Sequence, residues 1–345
     1  MAKVTGVVEA TSLISLDGNT TVEGKTRLTD VEYLGEKYGN KNFTYPIAVD
    51  SDLLGQRVVI YVKGLNSLSP NASNMEVVGS AIVSEDNSVV ETAARLKKTD
   101  DVKDALKGSG ISMPSAGADY VYITEDDTTR GTTDGRQAMP GVAQTFIDND
   151  GDGTVDVVIQ KNPALAKINT YNEKDESMNI STIGSVDFVD VLNPKDVAQG
   201  DYVLVYNYDD TYVLEKAETV SGVVSAFVNN ATDIDLSKIT IDDTKYGIGS
   251  GKNLAPDVMD LVGSAMSDLV DGTYTLYLDP HGNILGYVED EGAVGNYAVI
   301  TGVNPTGSKD GFYSAEVKLI MADGSTGKYD VNLLASAKKD RKSVV

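Results

Sequence analysis

Short segments in which apolar residues recur at alternate positions are found along the whole chain. Val, Ile, Thr and Tyr dominate these segments, and Gly, Asp and Asn separate them. Residues 202–206 are an example, with tyrosine or leucine at alternate positions and valine between them. Successive side chains of a strand face opposite sides, so this segment predicts a strand buried on one face and half-buried on the other. Many such segments with turn residues between them predict an all-β protein.

The strand pattern repeats within the chain. Residues 4–10 (Val-Thr-Gly-Val-Val-Glu-Ala) reappear as residues 220–226 (Val-Ser-Gly-Val-Val-Ser-Ala), and residues 54–62 reappear as residues 270–278. The two blocks follow one another in the same order and at nearly the same spacing in both copies. This repetition predicts that one supersecondary unit is used more than once.

Parts of two further copies are also present. The closing block recurs at residues 200–206, and we place its opening near residues 166–168. A further opening begins at residues 299–303, and no closing block follows it. A repeat of roughly 70 residues with about five strands has the size of a small barrel or sandwich. We therefore expect a series of such units stacked into a rod.

Two segments have helical periodicity. Residues 98–108 predict a helix that Thr99 caps at its start and Gly108 ends. In residues 255–269, Pro256 suits the first turn, and an apolar stripe follows it. Both segments are short, so the pattern adds one or two short helices to a protein made of strands.

The predicted fold class is all-β, with tandem small β-barrel or β-sandwich units and one or two short helices. The polar residues 112–141 predict either an exposed loop or the tip of an inserted hairpin. The predicted units are a first repeat over 1–95, a unit over 96–219 with the short helix, the polar segment and an acidic turn, a repeat with an inserted helix over 220–296, and an incomplete repeat over 297–345.

The chain lacks residue types that many chemical sites need. It has no Cys, no Trp and a single His among 345 residues. Disulfides, thiolate metal sites and multi-histidine sites are therefore excluded. The single His281 lies in residues 279–283 (Asp-Pro-His-Gly-Asn), a predicted hairpin tip. No nucleophile elbow, phosphate loop or dinucleotide fingerprint lies between a strand and a helix, so we predict that the chain is not an enzyme.

The charge of the chain restricts its partners. The formal net charge is −23, from 52 acidic and 29 basic residues. A polyanion repels phosphate backbones and anionic lipid surfaces, so we expect neither nucleic acid nor a membrane surface as a partner. No apolar run approaches the ~20 residues that span a bilayer, so we expect no membrane insertion. Repulsion among carboxylates destabilises a compact state, and divalent cations relieve it.

One segment has the spacing of a calcium-binding loop. Residues 146–158 read Phe-Ile-Asp-Asn-Asp-Gly-Asp-Gly-Thr-Val-Asp-Val-Val. Carboxylates at alternate positions, a Gly at the sharp turn and an acid at the ninth position match the first nine positions of such a loop. The predicted Ca²⁺ ligands are Asp148, Asp150, Asp152, the Thr154 carbonyl and, directly or through water, Asp156.

The match to a calcium loop is incomplete. The twelfth position is Ile159 instead of a bidentate Glu, and the flanking residues have strand patterns instead of helical ones. The segment is therefore not an EF-hand, and its expected affinity lies in the roughly 10⁻⁴ to 10⁻³ M range of extracellular modules. The alternative interpretation is an acidic hairpin turn that holds no ion.

The repeat resembles a known family. Residues 220–224, 239–246 and 272–289 resemble the ectodomain of large S-layer-type surface proteins of Gram-positive bacteria, which attach to the wall through S-layer homology modules. Residues 146–158 are similar to segments of the same ectodomains. The resemblance is best over 140–300 and looser over the first repeat. It implies an exported, wall-associated protein with a structural or adhesive role. The attachment module itself is not found in this chain, so no anchor residues carry over.

We therefore expect a structural component of a bacterial cell surface or S-layer, located outside the cell and stabilised by Ca²⁺. The expected partners are further copies of the chain or neighbouring surface proteins, with wall polysaccharide bound by modules outside this chain. The export signal and the anchor are also expected outside it, in a longer protein. The alternative is an adhesin or carbohydrate-binding module that uses residues 112–141 or a Tyr-lined face. A secreted enzyme and a virion or tail-fibre component are weaker alternatives.

Overall fold

β-strands form most of the protein. In the computed structural model, 54% of the residues lie in strands and 7% in helices, which confirms the all-β prediction. The chain divides into two compact units, Met1–Val288 and Glu289–Val345. The structure describes residues 1–63, 70, 75–139, 141–229, 237–249, 254–261, 266–289, 298–309, 312–321 and 326–332.

The first sheet is antiparallel and is built around its first strand. Its strands are β1 (Ala2–Ala10), β2 (Thr26–Tyr33), β3 (Glu36–Lys37), β4 (Phe43–Tyr45), β5 (Arg57–Lys63) and β6 (Glu76–Val83). Their order is β3-β2-β1-β5-β6, and β4 continues β3 along β2. β1 therefore pairs with β2 on one side and with β5 on the other.

The second sheet has a different connectivity and carries the α-helix. Its elements are β7 (Ser88–Thr92), α1 (Thr99–Ala105), β8 (Ala118–Ile123), β9 (Thr128–Thr133), β10 (Ala143–Asp148) and β11 (Val157–Lys161). The strand order is β7-β10-β11-β8-β9, and β8 runs parallel to β11. Parallel neighbours cannot be joined by a tight hairpin, and here a long connection that includes β9 and β10 separates them along the chain.

The third and fourth sheets return to the connectivity of the first. The third contains β12 (Ala164–Asn172), β13 (Ser177–Ile180), β14 (Gly184–Asp187), β15 (Tyr202–Tyr208) and β16 (Thr211–Lys216), and the fourth contains β17 (Glu218–Val228), β18 (Lys238–Ile241), β19 (Thr244–Gly247), β20 (Thr273–Leu278) and β21 (Ile284–Glu289). In each sheet the first strand is central, the second and third extend one side, and the fourth and fifth extend the other. The predicted unit 96–219 thus contains four of the five strands of the second sheet and all five strands of the third.

The third sheet and the fourth sheet are each closed on themselves by a parallel bridge. Val191 pairs with Tyr212, and Ile248 pairs with Ile284, so the chain beyond the third strand meets the fifth strand. This strand order with a parallel closure is the connectivity of a five-stranded Greek-key barrel of the OB type. The repeated blocks in the sequence fall on the first strands, β1 and β17, and on the fourth strands, β5 and β20.

A repeated glycine is explained by the close approach of the second strand. A Cβ at Gly6 would lie 3.0 Å from the carbonyl oxygen of Thr29, and a Cβ at Gly222 would lie 2.6 Å from the side chain of Ile241. Both first strands also contain a bulge in their pairing with the second strand. A bulge bends the strand that carries it, and glycine near the bend lets the neighbouring strand come close.

The two predicted helices have different outcomes. α1 is present, but Lys98 instead of Thr99 precedes its first residue, and the Lys98 N–H donates to the Asp101 carboxylate at 2.9 Å. The helix predicted over 255–269 is wrong for the described residues 255–261, because Met259 exchanges two backbone hydrogen bonds with β21. Residues 266–269 form a 3-10 turn, and residues 262–265 lie outside the described ranges.

Within the polar segment 112–141, residues 118–133 form the β8–β9 hairpin, which agrees with the second of the two alternatives. At its tip, the Asn207 side chain donates to the Asp126 carbonyl at 2.7 Å, and the Thr128 hydroxyl donates to the Asn207 carbonyl at 2.6 Å. From β9, Arg130 reaches the Ser15 carbonyl of the first sheet at 2.8 Å. The polar side chains of this hairpin thus form hydrogen bonds that link three sheets.

One continuous apolar core runs through the four sheets of the first unit. It includes Val4, Ile147, Leu165 and Leu285, one from each sheet, and all are at most 3% exposed. Smaller apolar clusters fill the second, third and fourth sheets separately. Neighbouring sheets of this unit are therefore packed against one another as well as linked by the chain.

The second unit contains one antiparallel sheet in its described residues. Its strands are β22 (Ala298–Lys309), β23 (Phe312–Met321) and β24 (Thr326–Asn332), in that order. β22 contains the predicted opening block and pairs with β23 through two register shifts. Among all described helices, none has the length and apolar character needed to cross a membrane.

Candidate metal centre

The acidic segment forms the turn between β10 and β11. β10 ends at Asp148, and β11 begins at Val157. The chain reverses through glycines in the left-handed conformation, Gly151 with φ +78° and Gly153 with φ +85°. Residues with a Cβ are strained in that conformation, so the glycines permit the tight path that brings the acidic side chains together.

Three of the five predicted ligands come together. Carboxylate oxygens of Asp148, Asp150 and Asp156 lie within 4.8 Å of one another. Asp148 is buried, with 1% of its surface exposed, whereas Asp156 is half-buried and Asp150 is exposed. The group therefore has a buried side and a side open to solvent. No second group of this kind is found within the described part of the chain.

The other two predicted ligands lie beside this group. Asp152 is not one of the three, and its Oδ1 accepts a hydrogen bond from the Thr154 N–H at 2.7 Å. Thr154 is half-buried and forms a parallel bridge to Ser112, which ties the turn to the segment before β8. Asp152 thus shapes the turn through the backbone and adds to its negative charge.

Backbone N–H groups hold the carboxylates in place. Asp148 Oδ1 accepts from the Gly151 N–H at 2.8 Å, and Asp148 Oδ2 accepts from the Gly153 N–H at 2.9 Å. Asp148 Oδ1 also accepts from the Asp150 N–H at 3.3 Å, whereas Oδ2 accepts a single bond and keeps acceptor capacity for a cation. The same bonds keep the turn folded without an ion, as in the alternative interpretation.

The charges in the turn act on the carboxyl of Asp156. Burial raises the pKa of this carboxyl, and the negative charges of Asp150, Asp148 and Asp152 raise it further. The Asn149 N–H, which donates to Asp156 Oδ2 at 2.8 Å, opposes these effects. The raised pKa means that the ionised form of Asp156 is destabilised in this turn. A bound cation would reverse that destabilisation.

The turn is attached to the first sheet through Asn149. The Asn149 side chain donates to the Gly55 carbonyl at 3.0 Å, and its carbonyl accepts from Arg57 Nε at 2.8 Å. Arg57 also forms an ion pair with Asp30. Sequence reasoning missed Asn149 and Arg57, because nothing local marks a contact between residues 92 positions apart.

The donor set fits a hard cation. Ca²⁺ takes six to eight oxygen ligands at about 2.3–2.6 Å from carboxylates, carbonyls and water, in flexible geometry. Three carboxylates supply part of that shell, and the open side at Asp150 gives access to the water that would complete it. A site that relies on several waters binds weakly, in keeping with the affinity expected from the incomplete sequence match.

The fold and this turn define a class of protein: a β-protein with OB-type five-stranded sheets and an acidic oxygen-donor turn that connects two strands of one sheet and contacts another sheet. No protein-family model, curated protein or solved structure matches the chain. Its function is therefore argued from its own residues.

Proposed function

We propose that this chain is a structural component of a bacterial cell surface or S-layer, exported and wall-associated, and that Ca²⁺ bound by the β10–β11 turn stabilises it. The observation that carries the proposal is the apolar core shared by four consecutive sheets. Such a core makes neighbouring sheets cooperative, so that the whole unit resists deformation as one body.

The packing inside the sheets supports a role in holding shape. Ile168, Val224 and Ile241 lie at the centres of the third and fourth sheets, and all three are fully buried. Closely packed side chains in small barrels have low compressibility and transmit strain. A component of a surface layer needs that stiffness.

The position of the acidic turn supports a stabilising role for Ca²⁺. The turn belongs to the second sheet and packs against the first, where Asn149 contacts Gly55 and Arg57. Ion binding would neutralise the repulsion at Asp156 and reduce the opening of the turn. Because a ligand that binds only the folded state stabilises it by mass action, the effect should grow with Ca²⁺ concentration.

Thermal unfolding and sedimentation of the full chain test this proposal. With millimolar Ca²⁺, the unfolding midpoint should rise relative to the same sample with a chelator, and the chain should sediment as larger assemblies. At a concentration about tenfold above the dissociation constant, the stabilisation is about 1.4 kcal/mol. Asp150→Asn should remove most of the Ca²⁺ response, because it removes the exposed charge of the group.

Asp243→Asn is the matched control. Asp243 is an exposed aspartate in the tight turn between β18 and β19, with φ +63°. This variant should respond to Ca²⁺ as the unmodified chain does. An identical midpoint with Ca²⁺ and with chelator would remove the calcium part of the proposal. A monomer at every protein concentration would remove the self-assembly part.

A further inference from the structure

A polar cleft lies where all four sheets of the first unit meet. Its volume is about 410 Å³, within the range of small-molecule sites, which form preferentially at junctions between packed elements. Asp52 comes from a 3-10 turn between β4 and β5 of the first sheet, Lys161 from β11 of the second, Glu215 from β16 of the third and His281 from the turn between β20 and β21 of the fourth. The cleft is separate from the acidic turn, whose three clustered carboxylates do not line it.

A largely buried tyrosine lines this cleft, and its hydroxyl has no partner in the described part of the protein. Tyr206 is 3% exposed, and its hydroxyl has no hydrogen-bond partner among the residues that the structure describes. Burial, the charge of Glu215 and the neighbouring Tyr208 raise the pKa of Tyr206. Polar groups of largely buried side chains are normally paired, so an unpaired hydroxyl on a cleft wall is available to water or to a ligand in the cleft.

A second unpartnered group lies on the same wall. Gln144 is 1% exposed and lines the cleft, and its amide nitrogen has no hydrogen-bond partner among the described residues. Its amide oxygen accepts from Gln160 Nε2 at 2.8 Å, which fixes the orientation of the side chain. The wall of the cleft therefore contains both a hydroxyl and an amide donor with unused hydrogen-bonding capacity.

The charges of the cleft exclude several kinds of ligand. Lys161 pairs with Asp52 at 2.8 Å, whereas Glu91 and Glu215 make no ion pair within the described ranges. The cleft is therefore net negative and repels anions. Its three carboxylates do not form a group within 4.8 Å, so they do not converge on one metal ion.

A ligand that carries hydroxyl groups suits the hydrogen-bonding groups of the cleft. The ligand must donate to Glu91 and Glu215 and must also interact with the Tyr206 hydroxyl, and a hydroxyl both donates and accepts. Pro163 and Pro280 add apolar surface on which the C–H face of a sugar ring can lie. We propose that this cleft binds a small saccharide that is neutral or carries an amine.

Calorimetric titration of the full chain tests the ligand class. The probes are glucose, glucosamine and their β-linked disaccharides, with glucuronate as the anionic counterpart and putrescine as an amine without the sugar. At least one neutral or basic saccharide should bind saturably, with glucuronate at least tenfold weaker. The proposal is overturned if no saccharide binds up to about 10 mM, if glucuronate binds as tightly, or if putrescine alone binds.

Two paired substitutions locate the binding in this cleft. Tyr206→Phe should lower the affinity for the best-binding saccharide about fivefold, which is the effect of one lost hydrogen bond. Tyr61→Phe, at an exposed tyrosine of β5 outside the cleft, should leave affinity unchanged. Glu215→Gln should weaken binding, and Glu218→Gln should not. Because the Tyr206 hydroxyl has no partner to lose, its variant should melt as the unmodified chain does. Unchanged saccharide affinity in the folded Tyr206→Phe variant would place binding elsewhere and end the proposal.

Discussion

At the scale of single residues, the folded acidic turn destabilises the ionised form of one carboxylate, that of Asp156. The pKa of Asp156 is raised in the folded protein by burial and by Asp150, Asp148 and Asp152. In the unfolded chain these aspartates move apart, and the pKa returns to its usual value near 4. Between the usual and the raised value, the folded state binds more protons than the unfolded state, so stability falls as pH rises. At pH values above the raised pKa, the ionised Asp156 destabilises the folded state to its full extent.

Asp156→Asn should therefore stabilise the chain in the presence of a chelator at pH 7. The amide keeps an oxygen to accept from the Asn149 N–H but carries no charge. Urea unfolding at several pH values measures the difference from the unmodified chain, and this difference should shrink as pH falls toward about 4. Asp243→Asn again serves as the control. A gain that stays constant over this range would show that charge repulsion at Asp156 is not its origin.

At the scale of elements, the β8–β9 hairpin joins three sheets through one guanidinium. Arg130 Nη2 lies 2.5 Å from Asp209 Oδ2, and the two side chains are only 20% and 13% exposed. The same nitrogen donates to the Ser15 carbonyl at 2.8 Å, and the Ser15 N–H donates to Asp209 at 3.2 Å. A planar fork of donors suits this arrangement, and lysine could not reproduce it.

Arg130→Ala should destabilise the first unit by about 3 kcal/mol, because it leaves the Asp209 charge poorly solvated and without its partner. Chemical denaturation measures the change. Adding Asp209→Asn to this variant should recover part of the loss, since the uncompensated charge is then removed. Arg136→Ala, which breaks an ion pair with more than half of each side chain exposed, should cost under about 1 kcal/mol. Equal losses from the two arginine variants would contradict the role given to Arg130.

Local features of the elements could be predicted from the sequence, and long-range ones could not. The hairpin tip at residues 279–283 could be predicted, because Gly282 readily adopts the left-handed conformation, φ 78°, that it has between β20 and β21. The predicted helix over 255–269 is wrong for the described residues 255–261, because Met259 gains backbone pairing with β21 and tertiary pairing outweighs a helical pattern. The cleft around Tyr206 left no sequence signal, since its wall combines residues from four sheets.

At the scale of the whole molecule, the repeat in the sequence suggests separable units, whereas the shared core ties four sheets together. Ala255, Tyr277 and Leu285, which belong to the last quarter of the first unit, lie in the same apolar cluster as Leu165 and Tyr206 of the third sheet. The Tyr202 and Tyr277 rings also lie 4.5 Å apart between centroids. Removing the fourth sheet would therefore expose apolar surface on the third.

Three fragments distinguish a shared core from independent units. Residues 1–288 should fold with one cooperative transition, because this range contains the whole of the shared core. Residues 1–217, which lack the fourth sheet, should melt at a lower temperature and bind a hydrophobic dye, since the surface around Leu165 and Tyr202 is uncovered. Calorimetry and dye fluorescence make the comparison. If 1–217 and 218–289 each folded with the midpoint of the longer fragment, the sheets would be autonomous, and the cooperative stiffness on which the structural proposal depends would be absent.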